Sequence, residues 1–95
     1  MIIAQLSIAP VGKDISLNKY VKIALKSLKR DGIKYELNPM ATVLEADTLE
    51  VLFQAVEHAH QAVIDAGAER VITELKIDDR RDKQVTMTSK LNSFR

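Results

Sequence analysis

Two histidines, one serine near the start of the chain and a run of six charged residues are the side chains whose types and spacing invite chemistry. His58 and His60 stand two apart in a stretch of helical periodicity. Side chains two apart on a helix point to different faces, so this pair cannot chelate one metal ion. His58 beside Glu57 or Glu50 has the parts of a general acid–base couple, but no nucleophile stands near it in the pattern. Ser7 has no histidine at a recognisable elbow, and no Gly-x-Ser-x-Gly occurs. The 3 glycines each fall at a turn or helix end, which leaves no glycine-rich phosphate loop. Cysteine is absent, so a thiolate nucleophile, a disulfide scaffold and thiolate-based zinc or iron–sulfur sites are excluded. Both histidines read as ordinary helix residues. The pattern calls for no catalytic residue, no cofactor and no metal.

The charged run is Asp78-Asp79-Arg80-Arg81-Asp82-Lys83. A carboxylate pair followed by two arginines neutralises itself, so the run reads first as structure. Arg80 or Arg81, bidentate to a carboxylate of a neighbouring chain, is its most economical function. An anion site that also recruits Lys83 is the alternative. Lys19, Lys22, Lys26 and Lys29, with Lys13 before them, form a basic stripe that reads as a solvated helix face. Over the whole chain 14 basic residues face 13 acidic ones, a net charge of +1, which is too balanced for a dedicated nucleic-acid binder.

Elements with a definite periodicity must position these groups. Ile2, Ala4, Leu6 and Ile8 alternate with Ile3, Gln5, Ser7 and Ala9, a strand with neither side fully solvated, and Pro10 ends its ladder for want of an N–H. Ser16 is a suitable N-cap for a helix that carries Leu17, Tyr20, Val21, Ala24, Leu25 and Leu28 on one side. Asp31-Gly32 stops that helix, with Gly32 suited to the left-handed position after its end. Ile33, Tyr35 and Leu37 alternate with Lys34 and Glu36, a half-buried strand, and Asn38-Pro39 signals a turn. Met40 to Ala46 is another strand, whose two faces polarity does not distinguish. Asp47-Thr48-Leu49-Glu50 fits a capping box with aspartate as the cap, ahead of a stripe of Leu49, Leu52, Phe53, Val56, Ala59 and Val63 that Gly67 closes. Arg70 to Ile77 is the last strand, and Ser89 to Phe94 a short C-terminal helical turn or docking segment.

The 95 residues hold one domain, 1–95, with no linker and no low-complexity tract. The order β-α-β-β-α-β, with right-handed crossovers and a hairpin between the middle strands, predicts an α+β ferredoxin-like sandwich. It has a four-stranded antiparallel sheet with both helices on one face. RNA-binding sheets of this kind need aromatics on their central strands. Here those strands offer Ile3, Gln5, Ser7 and Val43, and aromatics are 4% of the chain with no tryptophan. A nucleic-acid partner is therefore not expected. Apolar stretches fall far short of the ~20 residues that span a bilayer, so no membrane partner is expected. Met1-Ile2-Ile3-Ala4 lacks a basic leader and meets Gln5 at once, which is unlike a signal peptide and makes the cytoplasm the expected compartment. The face of the sheet away from the helices still carries Ile3, Ala9 and Ile72. Carbon of that kind usually packs on something, and a second copy of the chain is the least demanding answer.

Three segments carry a resemblance. Met1-Ile2-Ile3-Ala4-Gln5-Leu6-Ser7-Ile8-Ala9-Pro10, Lys34-Tyr35-Glu36-Leu37-Asn38-Pro39-Met40-Ala41-Thr42-Val43-Leu44-Glu45, and Lys76-Ile77-Asp78-Asp79-Arg80-Arg81-Asp82-Lys83 resemble the thiamine-binding protein family, small cytoplasmic ferredoxin-like proteins. The resemblance implies non-catalytic binding of thiamine or its hydroxymethylpyrimidine portion, and assembly through the free sheet face into dimers and commonly tetramers. Such a ligand offers an amine donor beside ring acceptors, so it needs a carboxylate or carbonyl, a hydroxyl or N–H, and an apolar wall. Glu45, Thr42 and Ser7 are expected to supply the polar set, Tyr35 and Met40 the walls, and Asn38 at the hairpin to close one end. Thr42 and Glu45 point to opposite faces of their strand, so a simple pocket cannot use both. An oligomeric interaction or scaffold module without a small ligand is the alternative reading.

Overall fold

A computed structural model describes residues 1–12 and 17–94. The expected cap Ser16 and the basic Lys13 lie outside the described residues. The elements run β1 (Ile2–Pro10), α1 (Leu17–Arg30), β2 (Lys34–Leu37), β3 (Thr42–Ala46), α2 (Leu49–Asp65), β4 (Val71–Asp79) and α3 (Met87–Asn92). The 4 strands form one antiparallel sheet in the order β2-β3-β1-β4, the ferredoxin-like arrangement that the periodicities predict.

Alternation along the strands sorts the residues by face. Ile2, Ala4 and Leu6 of β1 stand opposite Ala46, Leu44 and Thr42 of β3, and all of them are buried beneath α1 and α2. Leu28 of α1 and Leu52, Ala55, Ala59 and Val63 of α2 close over them, with at most 1% of each exposed. The stripe of α2 runs through small alanines, which let the helix approach closely. Phe53, expected on that stripe, lies one helical step off it and is 50% exposed, and Leu17 of α1 is likewise exposed.

Other expectations shift by a residue or two. The cap of α2 is Thr48, which holds extended backbone and accepts a hydrogen bond from Val51 N at 3.1 Å, not Asp47. Glu50 therefore falls too early in the helix to complete a capping box. Gly32 holds φ 73°, the left-handed turn that ends α1. Pro10 closes β1 opposite Val71, where its missing N–H interrupts nothing further along. Met40 and Ala41 belong to the hairpin rather than to β3, with Asn38 N donating to Ala41 O at 2.9 Å.

The opposite face of the sheet is not simply open carbon. Thr86 caps α3 in a reciprocal box with Ser89, and α3 lies back over this face. Met87 is buried there and Ile3 is half-buried. Beyond α3 the face carries the row Glu36, Val43, Gln5 and Lys76, one residue from each strand in register.

Candidate ligand-binding site

Three concavities receive the residues singled out in the sequence. The first lies between α1 and the β2–β3 hairpin, with a volume of about 490 Å³. Its position follows from unequal strand lengths. The pairing of β1 with β3 ends at Leu6 opposite Thr42, whereas β1 continues to Pro10. Among the described residues no strand pairs with the β3 side of β1 from Ser7 onward, and Ser7 and Ile8 border the cavity. Leu6, Ser7 and Ile8 form one side, Asn18, Val21 and Leu25 of α1 another, and Asn38, Pro39, Met40, Ala41 and Thr42 the third. Thr42 is buried, while Met40 is 91% exposed at the hairpin tip.

Four of the six residues expected to hold a ligand, namely Ser7, Asn38, Met40 and Thr42, thus line one cavity. Tyr35 and Glu45 do not. Tyr35 stands opposite Leu44 on the helix side of the sheet and packs on the core. Glu45 lies on the other face, buried under α3, where its carboxylate accepts a hydrogen bond from Met87 N and Lys34 Nζ lies 3.7 Å from it. The carboxylate with the strongest claim to a ligand amine is spent on holding the C-terminal segment. Apolar Val21 and Leu25 of α1 line this cavity, where Tyr35 does not. Their spacing marks them only as helix core, because sequence does not tell which core residues border a gap.

The second cavity, about 690 Å³, lies beside α3 on the free face. Ile3, Gln5 and Val43 form its floor, and Leu91 and Phe94 overhang it. Asp78 at its edge receives Lys90 Nζ at 2.7 Å. That hydrogen bond, and then the charge of Lys90, hold the Asp78 carboxyl below the usual carboxylate range.

The third cavity, about 480 Å³, gathers Arg80, Arg81 and Lys83 near Met1, Asp47 and Thr48. Both arginines already have partners. Arg80 Nε donates to Asp82 at 2.7 Å and Arg81 Nη2 to Asp79 at 2.8 Å. Those carboxylates raise both guanidinium pKa values further, and Arg80 in turn lowers that of Asp82. The self-neutralisation read from the sequence is thus realised within the chain.

Each histidine has a hydrogen-bond partner outside its own helix. His60 Nδ1 pairs with Thr73 Oγ1 at 2.6 Å, tying α2 to β4, and His58 Nδ1 lies 2.7 Å from Asp31. Among the described residues no group of acidic and histidine side chains could hold a metal ion, and no helix is long and apolar enough to cross a membrane.

These features define a class, a small α+β sandwich with ligand-sized cavities at its hairpin and on its free face. The profile of the family described as thiamine-binding protein matches residues 4–95. A UPF0045 protein of Methanothermobacter thermautotrophicus is 45% identical over 100% of this chain and 97% of its own. A hypothetical protein of Methanocaldococcus jannaschii superposes with a TM-score of 0.89 at 42% identity, over 98% of this chain and 94% of that one. A domain of unknown function from Bacillus cereus gives 0.87 at 36% identity, over 99% and 89%. The chain belongs to the thiamine-binding protein family.

Proposed function

We propose that the protein binds thiamine, or the hydroxymethylpyrimidine portion of it, in the hairpin cavity and without catalysis. The observation that carries this reading is the gathering of Ser7, Asn38, Met40 and Thr42 around one concavity beside the stretch of β1 that β3 does not reach. An aminopyrimidine needs acceptors for its amine and donors for its ring nitrogens. The Asn38 amide and the Thr42 hydroxyl can each do both, and the β1 backbone adds N–H and C=O groups. Val21, Leu25 and Met40 give the ring its apolar walls, and about 490 Å³ lies within the usual range for such sites. Among the described residues no carboxylate lines this cavity. Membership of a family named for thiamine binding supports the same assignment.

The compartment we assign is the cytoplasm, and the assembly a homo-oligomer packed through the free sheet face, where Ile72, Leu91 and Phe94 leave apolar surface exposed. Isothermal titration of the purified protein with thiamine and with hydroxymethylpyrimidine tests the ligand. Saturable heat is expected, weakened about tenfold or more by Thr42→Val, since a bound polar group then loses its partner. No heat at millimolar concentrations of either compound overturns the assignment. A stable protein partner recovered alongside silent titrations would favour a scaffold module instead.

A further inference from the structure

We propose that the cavity beside α3 is a second ligand site, built for an elongated zwitterion that lays a cationic end on Glu36, an anionic end on Lys76 and an apolar body between them. It is separate from the hairpin cavity and does not depend on what that cavity binds.

The free face presents its residues in rows, one residue from each strand. The row Lys34, Glu45, Ile3 and Asp78 runs beside the row Glu36, Val43, Gln5 and Lys76. In the first row every charge has a partner. Glu45 accepts from Met87 N and has Lys34 Nζ 3.7 Å away, while Asp78 receives Lys90 Nζ at 2.7 Å. Segment α3 therefore acts as a resident ligand for that row, supplying donors to its carboxylates. The second row also carries charge on both outer strands, yet it lies beyond α3. Among the described residues no opposite charge stands within ion-pair distance of Glu36 or Lys76. The other two charges that line the cavity, Asp78 and Lys90, are spent on each other.

The second row sets the chemistry of its ligand. β2 and β4 are the outer strands, three spacings apart, or ~14 Å at ~4.8 Å each. A single small ion cannot touch both ends of such a row, whereas an extended molecule can. Opposite signs on the two ends call for opposite signs on the ligand, an ammonium or amidinium at Glu36 and a carboxylate or phosphate at Lys76. Between them Val43 offers carbon and the Gln5 amide both donates and accepts. Leu91 and Phe94 overhang this floor and give the body of the ligand an apolar wall. About 690 Å³ lies within the usual range for a small-molecule site. All of these groups belong to one chain, so the site is complete without assembly.

Titration calorimetry with two elongated zwitterions, ε-aminocaproate and para-aminomethylbenzoate, tests the site. Hexylamine and hexanoate serve as probes of one charge each. Saturable binding of a zwitterion is expected, about tenfold or more tighter than either single charge, because each of those leaves one protein charge without its partner. Glu36 and Lys76 are exposed, so Glu36→Gln and Lys76→Gln should keep the fold. Each is expected to weaken the zwitterion about tenfold, with Glu36→Gln sparing hexanoate and Lys76→Gln sparing hexylamine. Glu36→Lys combined with Lys76→Glu reverses the polarity of the row and is expected to restore binding. Neither residue lines the hairpin cavity, so hydroxymethylpyrimidine should bind all these variants as it binds the native chain. Silent titrations with hydroxymethylpyrimidine bear on the hairpin cavity alone. Absence of saturable zwitterion heat up to about 10 mM overturns the second site. So does a zwitterion that binds no tighter than hexylamine, or one that both glutamine variants bind as well as the native chain does. A pyrimidine affinity that falls with these variants would merge the two cavities into one site, and overturns it as well.

Discussion

Leu44 and Glu45 are neighbours in β3, and both are buried, one on each face of the sheet. Leu44 is covered by two long amphipathic helices and belongs to the hydrophobic core. Glu45 is covered by a short helix whose own backbone supplies the partner that a buried carboxylate requires. The helix side is held by area removed from water, which is non-directional and additive over many residues. The α3 side is held by a few directional contacts, namely Met87, the Glu45 carboxylate and the Lys90–Asp78 pair. One sheet thus carries a side that specifies the fold and a side that positions a segment.

The largest effect expected from this contrast belongs to the helix side. Leu52→Ala, at a position with 0% exposure, should lower unfolding free energy by about 2–5 kcal/mol in urea titrations. A loss under 1 kcal/mol would mean that α2 does not seal the core as described. Glu45→Ala comes next, at about 1–3 kcal/mol, because it strands a buried Met87 N–H. Its signature is local: amides of α3 should exchange faster while those of α1 and α2 keep their relative protection. Equal loosening of all the helices would erase the distinction between the two sides.

Acid gives the smallest effect and the sharpest division. The Asp78 carboxyl titrates below its usual range in the folded protein, because Lys90 pairs with it. A depressed carboxylate contributes stability that is fully present above its unfolded pKa, about 3.9, and is lost as pH falls through the lower folded value. From neutrality down to about pH 5, α3 should stay docked, and it should loosen only below the ordinary carboxylate range. The chemical shifts of Leu91 and Phe94 would follow that step. Among the described residues the one buried carboxylate, Glu45, lies on the α3 side, so methyl resonances of Leu28 and Val63 should hold still over the same step. Their moving in concert would show the two sides to be one cooperative unit.

Chain order and periodicity were enough to place every strand and both long helices within about two residues, the usual precision of element ends. The periods of 2 and 3.6 are local properties, set by which residues must share a face. The caps were less legible. Asp47 and Thr48 are both good capping residues, and only the path of the chain out of β3 selects Thr48. The same limit applies to Phe53, whose distance from the stripe is a single helical step and whose exposure depends on how α2 is rotated over the sheet.

The candidate site divides in the same way. Ser7, Asn38, Met40 and Thr42 were legible as a group because a hairpin and a neighbouring strand bring them together in any sheet of this order. Tyr35 and Glu45 belong to the same segments of sequence, yet alternation and register send one to the core and the other beneath α3. The sequence by itself determined the elements, their order and the balance of charge, since these follow from residue type and spacing. The tertiary structure alone decided that β1 outruns β3 and leaves a cavity, and that Glu45 meets Met87 42 residues away. Such contacts depend on strand length and on the return path of the chain, which no local pattern encodes.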